Sequence, residues 1–231
     1  MNPTIVSETE MPSSPAVGLR FSVRSILIGV TIFGLLLANI YNLTRLNSAQ
    51  IELERLRGEV GYLGDVGAGQ IAAARVPSDT PLEYRFRVSV PSESAYRIAF
   101  SGVWLAGEEW PEWFAAGKVP AGESNVVVRI APDVRDDKWK LSLLIRNGEG
   151  TKHTSVTLAD SLVQVYRGSH EKITGGIGRG RRMANNGDSL RILDERWLAG
   201  EGAMMLYGDR PPPSDLIGVY AELQPDVGPL P

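Results

Sequence analysis

Few residues in this chain have the type and spacing that catalysis requires. The two histidines, His153 and His170, have no second histidine at metal-ligand spacing, and the chain contains no cysteine. Ser169, His170 and Glu171 are adjacent, but the members of a catalytic triad converge in space and rarely in sequence. The pattern G-x-S-x-G is absent. The sequence therefore predicts no catalytic residue, no cofactor and a protein that is not an enzyme.

One acidic stretch has side chains that suit calcium. The sequence "APDVRDDKW" carries Asp133, Asp136 and Asp137, and carboxylates are oxygen ligands of the type that Ca²⁺ favours. The same stretch lies between two predicted strands, where aspartate is a common turn residue. We therefore keep the three aspartates as a candidate calcium site beside the simpler interpretation as a turn.

A glycine- and arginine-rich stretch could meet an anion. In "GGIGRGRR", backbone N–H groups and the side chains of Arg179, Arg181 and Arg182 are available to a negative group. The glycine spacing matches neither the Walker nor the dinucleotide pattern. We therefore expect a mobile loop, with contact to an acidic polymer or lipid as the functional alternative.

Three aromatic residues lie close together in "GEEWPEWFAAGKVPAGE". Trp110, Trp113 and Phe114 lie on a predicted connection between strands. Such side chains can stack on sugar rings or anchor a contact with another protein. They can equally fold back and close one end of a β-domain, so the sequence leaves both roles open.

The elements that must carry these residues begin with an apolar segment. Residues 21–41 contain one charged residue, Arg24, and a helix of that length rises about 30 Å, the thickness of a bilayer core. Arg24 can extend its side chain to the lipid headgroups, and Tyr41 suits the opposite interface. Because the segment ends without the small residues that a signal peptidase needs, we expect a retained membrane anchor.

The residues after this segment have heptad spacing. Successive a and d positions are occupied by Leu46, Ala49, Leu53, Leu56, Val60 and Leu63. The leucines and the valine predict the seam of a short coiled coil, hence a parallel homodimer.

The same register continues back into the span through two polar residues, Asn42 and Asn39. Asn39 could fix the register by bonding to its copy in the partner helix. Alternatively, Asn39 and Asn42 are polar only because they lie at the water-exposed end of the span.

Beyond the helix, glycines at 58, 61, 64, 67 and 69 predict a joint, and segments with a period of two follow it. "PLEYRFRVSVP" alternates apolar and polar residues, and Asn147-Gly148 is a strong hairpin signal. Eight or more short strands, with no helical pattern after residue 65, predict an antiparallel β-sandwich. The predicted organisation is a disordered cytoplasmic segment at 1–20, a transmembrane helix at 21–41, a coiled-coil helix at 42–64, a sandwich at 65–224 and a loose tail at 225–231.

The motifs "LRFSVRSILIGV", "GYLGD", "ARVPSDTPLEYRFRVSVP" and "KVPAGESNVVVRI" resemble those of an uncharacterised family of bacterial single-pass membrane proteins. In that family a basic R-F-S-x-R box precedes the span, and a β-rich domain follows a short coiled coil. The resemblance covers roughly residues 19–224. It implies a layout and supplies no catalytic residue.

Charge and layout together predict where the protein works. The net charge of −3 gives no drive toward nucleic acid. A short polar segment before the span is easily left in the cytoplasm, so we expect the sandwich on the periplasmic or extracytoplasmic side of the bacterial inner membrane.

The leading function is a non-catalytic interaction or scaffold module that contacts membrane lipid and an envelope protein or polysaccharide. The alternatives are a pilin-like assembly subunit, which the absence of an acidic residue in the apolar helix disfavours, and an exported carbohydrate-binding domain.

Overall fold

The computed structural model describes residues 22–105, 107–168, 171–178, 180–198 and 216–230. The chain divides into two compact units, Met1–Ile51 and Glu52–Pro231. Predictions for residues 1–20 and for Ser169, His170 and Arg179 lie outside the described residues, as does the strand that the stretch "GAMMLYG" at 202–208 predicts.

The described residues form two helices and eleven strands. In chain order they are α1 (Val23–Val60), β1 (Gln70–Val76), β2 (Glu83–Val90), β3 (Tyr96–Trp104), β4 (Ala115–Val119), β5 (Gly122–Pro132), β6 (Trp139–Asn147), β7 (Gly150–Thr157), α2 (Asp160–Arg167), β8 (Glu171–Gly176), β9 (Arg181–Asn185), β10 (Leu190–Leu198) and β11 (Leu216–Pro225).

The first helix, α1, is uninterrupted over 38 residues, and none of its side chains is buried. It ends where Gly61 adopts a φ of +62°, a left-handed conformation that costs glycine little. The Tyr62 amide donates to the Arg57 carbonyl at 2.9 Å, and the Gly61 amide donates to the Gly58 carbonyl at 3.3 Å. This pair of bonds is a Schellman motif, so the helix ends before residue 64, its predicted limit.

Two antiparallel sheets pack face to face. One has six strands in the order β7-β6-β5-β2-β1-β9, and the other has five in the order β4-β3-β11-β10-β8. On β2, Tyr84, Phe86 and Val88 are buried, while Arg85 and Arg87 face outward, as the alternation predicts. Buried residues from both sheets form one core cluster. The predicted fold, an N-terminal helix followed by an antiparallel β-sandwich, is confirmed.

A second helix corrects the expectation that no helix follows residue 65. α2 occupies the connection between β7 and β8, which belong to different sheets. Its Tyr166 hydroxyl donates to the Gly218 carbonyl at 2.6 Å, where β11 has an irregular register. The Tyr166 ring also meets Trp197 edge-on, with centroids 5.1 Å apart. Tyr166 thus holds α2 in place, because its hydroxyl satisfies the Gly218 carbonyl at the irregularity in β11.

The stretch expected as a mobile loop contains parts of two strands. β8 ends at Gly176 on the five-stranded sheet, and β9 begins at Arg181 on the six-stranded sheet. Gly176 has a φ of +76°, and an added Cβ would lie 2.9 Å from the Ile192 carbonyl oxygen, so only glycine fits this crossing. Ile177 follows it into the core and is buried. The strands β1 and β4 were also not predicted.

The C-terminal residues, expected as a loose tail at 225–231, are held against the five-stranded sheet. The Arg97 guanidinium donates to the Gly228 carbonyl at 2.6 Å and to the Pro229 carbonyl at 2.9 Å. The Asp226 carboxylate pairs with Lys118 at 2.9 Å. These contacts correct the prediction for the described residues of the tail.

Candidate functional site

The helix α1 is the one described helix that is long and apolar enough to cross a membrane, judged by length and composition. The Thr31 hydroxyl donates to the Leu27 carbonyl at 2.9 Å, which satisfies this polar group within the helix. The predicted anchor residues Arg24, Asn39 and Tyr41 all lie on α1 and are exposed.

The predicted helical seam is shorter than expected. Leu46, Leu53, Leu56 and Val60 are exposed on α1. Leu63 lies three residues beyond the end of the helix and is 2% exposed. Leu63 is therefore not available to a partner helix, and the candidate seam ends at Val60.

Leu63 belongs instead to a docked joint, which we define as residues 61–66. Its side chain packs with Val66 against Ala72 and Ala74, on the outer face of β1. The Arg181 guanidinium donates a hydrogen bond to the Leu63 carbonyl. Of the three arginines in "GGIGRGRR", Arg181 thus binds the chain itself. The joint is fixed to the sheet by apolar packing and a charge-assisted hydrogen bond.

The aromatic stretch separates into buried and exposed residues. Trp113 is 8% exposed and clusters with Ala99 and Tyr220, and Phe114 packs against the main core. Trp110 is 43% exposed. Of the three predicted contact residues, only Trp110 presents much of its surface, and the other two fold back, as one interpretation of the sequence allowed.

A second aromatic residue organises the outer face of the five-stranded sheet. The guanidiniums of Arg191 and Arg196 both lie against the Trp104 ring, at 4.6 Å and 4.9 Å from its centroid. Arg191 pairs with Glu222 at 3.0 Å, and Arg196 pairs with Asp194 at 2.7 Å. Because each guanidinium is already paired with a carboxylate, we assign this cluster a structural role and not a ligand-binding one.

A polar contact crosses the core between the two sheets. The Glu195 carboxylate on β10 accepts hydrogen bonds from Arg75 at 2.9 Å and from the Tyr84 hydroxyl at 2.8 Å. Burial, followed by the charge of Glu195, raises the pKa of Tyr84 well above its usual range. The neutral hydroxyl is therefore kept as a hydrogen-bond donor, and the three residues tie the sheets together.

The aspartates proposed for calcium are held by a lysine. The Lys140 ammonium lies 2.6 Å from Asp133 and 2.9 Å from Asp136. The hydrogen bond from Lys140 is the largest cause that lowers the pKa of Asp133. In the described part of the chain, no group of three or more metal-ligating side chains converges. Lys140 occupies the position that a cation would need, so the geometry favours the turn interpretation for Asp133, Asp136 and Asp137.

The outer face of the six-stranded sheet carries a depression of about 630 Å³. Its central row crosses four strands, because Arg85, Val127, Leu144 and His153 are directly opposite one another in the register. Val127 and Leu144 are half-buried and form the floor. With a strand spacing of about 4.8 Å, Arg85 and His153 are about 14 Å apart at the ends of the row.

Two further arginines lie on either side of this floor. Arg129 follows Val127 by two residues on β5, and Arg146 follows Leu144 by two residues on β6. Because β5 and β6 are antiparallel, the two arginines extend to opposite sides of the apolar pair. The floor is therefore surrounded by three arginines and one histidine.

The depression has an excess of positive charge. Its one acidic lining residue, Glu83, contacts Arg85 at 2.6 Å and Arg129 at 3.9 Å. Among the described residues, no carboxylate lies within ion-pair distance of Arg146, whose Nε atom meets only the Thr151 hydroxyl at 3.4 Å. Three guanidiniums and one carboxylate leave an excess of two positive charges, in a chain whose net charge is −3.

The sequence indicated no role for these residues, and His153, which has no second histidine at metal-ligand spacing, is exposed on β7. The polar positions of β2 were visible in the alternation. Their convergence with β5, β6 and β7 depends on the register, which one sequence does not display.

Comparison with protein-family models, with curated proteins and with solved structures finds no match.

Proposed function

We propose that this chain is a membrane-anchored interaction or scaffold protein of the bacterial envelope, without catalytic activity. In this proposal α1 stays in the inner membrane, the N-terminus is cytoplasmic, and the sandwich lies on the periplasmic or extracytoplasmic side. The resemblance to bacterial single-pass membrane proteins agrees with this layout. The observation that carries the proposal is the first half of α1, where apolar side chains are exposed all round and would be covered by lipid.

We propose further that the protein forms a parallel homodimer through the second half of α1. Leu46, Leu53, Leu56 and Val60 are about half exposed at heptad spacing, a pattern that two helices cover by knobs-into-holes packing. Two heptads are marginal alone, but an anchor in the membrane concentrates the helices and aligns them in parallel. An interaction protein gains avidity from such pairing.

One experiment tests both parts, because the chain has no cysteine of its own. Single cysteines are placed at Leu46 (L46C) and, as a matched control, at Ile51 (I51C), which is similarly exposed but lies outside the seam. A membrane-impermeant maleimide added to cells with a permeabilised outer membrane should label both variants. Oxidation in the native membrane should give a disulfide-linked dimer for L46C and much less for I51C.

The outcomes separate the two parts of the proposal. Labelling only after lysis of the inner membrane would place residues 46 and 51 in the cytoplasm and contradict the orientation. Recovery of the chain in the soluble fraction would contradict the anchor. Equal cross-linking of the two variants, or persistent monomer, would contradict the seam.

A further inference from the structure

We propose that the depression on the outer face of the six-stranded sheet binds an acidic segment of a partner protein that places an apolar side chain between its carboxylates. This inference rests on the proposed role as an interaction module, and it names the surface and the chemistry of the partner.

The charge of the lining selects an anion. Arg85 and Arg129 share the single carboxylate of Glu83, and Arg146 has no acidic partner among the described residues. Arg85 and Arg129 are about half exposed and Arg146 is exposed, so their N–H groups are accessible to an incoming group. A guanidinium presents paired donors that match the two oxygens of a carboxylate. The exposed acidic residues of a partner are therefore the complementary groups.

The floor requires an apolar group as well. Val127 and Leu144 are adjacent across β5 and β6 and remain half exposed at the centre of the depression. Covering such a pair removes apolar surface from water, which a purely ionic polymer cannot do. A ligand that satisfies the whole surface has an apolar side chain in the middle and carboxylates on opposite sides of it.

The shape favours a segment of a macromolecule over a small molecule. Small ligands are usually enclosed by their sites and lose most of their surface to the protein. This depression instead lies open on a sheet face, with basic groups about 14 Å apart along the central row. That span suits a peptide segment, which can reach both ends while one side chain covers the floor.

The test uses the full-length chain in zwitterionic lipid nanodiscs. The probe is a fluorescent peptide of alternating glutamate and leucine, and fluorescence anisotropy measures its binding. Polyglutamate, polygalacturonate and the equivalent lysine–leucine peptide are run alongside. We expect the glutamate–leucine peptide to bind at least about fivefold more tightly than either acidic polymer, because only it covers the floor. Binding should weaken with added salt.

Variants then locate the site. The double variant R129E/R146E should weaken binding at least about tenfold, whereas R182Q, which changes an exposed arginine on β9 of the same sheet, should leave it unchanged. Leu144→Ser should weaken binding roughly fivefold, and Val134→Ser, at a fully exposed apolar residue, should have no effect. Thermal unfolding of each variant checks that the sandwich is intact.

Three results would overturn the inference. They are no binding of the glutamate–leucine peptide, equal binding of an acidic polymer without apolar groups, and binding that R129E/R146E and R182Q change to the same extent. The cysteine experiment on α1 uses none of these residues, so failure here leaves the membrane anchor and the helical seam unaffected.

Discussion

Leu63 shows how one residue changes its role once the chain folds. Its position continues the heptad, and a leucine at a d position suits a coiled coil as well as it suits a sheet. Gly61 decides which of these two roles Leu63 takes, because its left-handed conformation ends α1 and turns the chain back toward β1. An added Cβ at Gly61 would lie 2.6 Å from the Val76 Cγ2 atom, so the joint also lies close against the sheet.

Replacing Leu63 with alanine should lower the free energy of unfolding by about 2–4 kcal/mol, because it removes a buried side chain and leaves a cavity against β1. Urea denaturation of the full-length chain in detergent micelles, followed by tryptophan fluorescence, measures the change. Ile51→Ala is the control, since Ile51 is exposed on α1, and it should change stability by less than about 0.5 kcal/mol. Equal stability of the two variants would contradict the docked joint.

At the scale of elements, the clear alternation of β2 predicted that strand, whereas β1, β4, β8 and β9 were not predicted. β2 alternates because its outer side chains meet solvent, and it was recognised. β1 reads Gln-Ile-Ala-Ala-Ala-Arg-Val and shows no alternation, because the docked joint covers its outer face and the core covers the other. β4 is short and composed largely of small residues, and α2 has only two turns, so neither gives a clear periodic signal.

The connection that carries Trp110 and Trp113 provides a matched pair of substitutions. Trp113→Ala should lower the free energy of unfolding by about 3–5 kcal/mol, because Trp113 packs on Ala99 and Tyr220. Trp110→Ala should cost less than about 1 kcal/mol, since much of its ring is exposed. Thermal unfolding by circular dichroism ranks the two variants. A similar loss for both would mean that Trp110 also packs in the folded protein.

For the whole molecule, the sequence was sufficient to predict a long apolar N-terminal helix and an antiparallel sandwich, because the apolar run, the periodicity and the turn residues indicate them. The sequence did not predict the concave basic surface. That surface arises where polar positions from β2, β5, β6 and β7 meet, and the pairing of these strands is set by packing over the entire core. The sequence also did not predict that the C-terminal residues bind the sheet, because Arg97 contacts their backbone carbonyls, which every residue type has.

The whole fold should lose stability in alkali. Burial raises the pKa of Tyr84, Tyr166 and Tyr220 above their usual value of 10.0. Above about pH 10 the unfolded chain releases protons that the folded chain keeps, so the free energy of unfolding falls as pH rises. Each tyrosine should contribute a slope of about 1.4 kcal/mol per pH unit.

Urea denaturation between pH 8 and pH 12, with phenolate absorbance recorded in parallel, measures this slope. Tyr84→Phe should reduce it by roughly one third, because one of the three shifted groups is gone. A free energy of unfolding that does not change above pH 10 would show that the three hydroxyls ionise alike in the folded and unfolded chains.

The hydrogen bond between Arg181 and the Leu63 carbonyl joins residues that are 118 positions apart. A ribosome makes the chain from its N-terminus at about 5–20 residues per second, so Leu63 waits roughly ten seconds for Arg181. During that interval β1 has no β9 to pair with, and the Leu63 carbonyl has no guanidinium to bind. The docked joint is therefore not complete until β9 has been made, although Ala72 and Ala74, the partners of the Leu63 side chain, follow it within 11 residues.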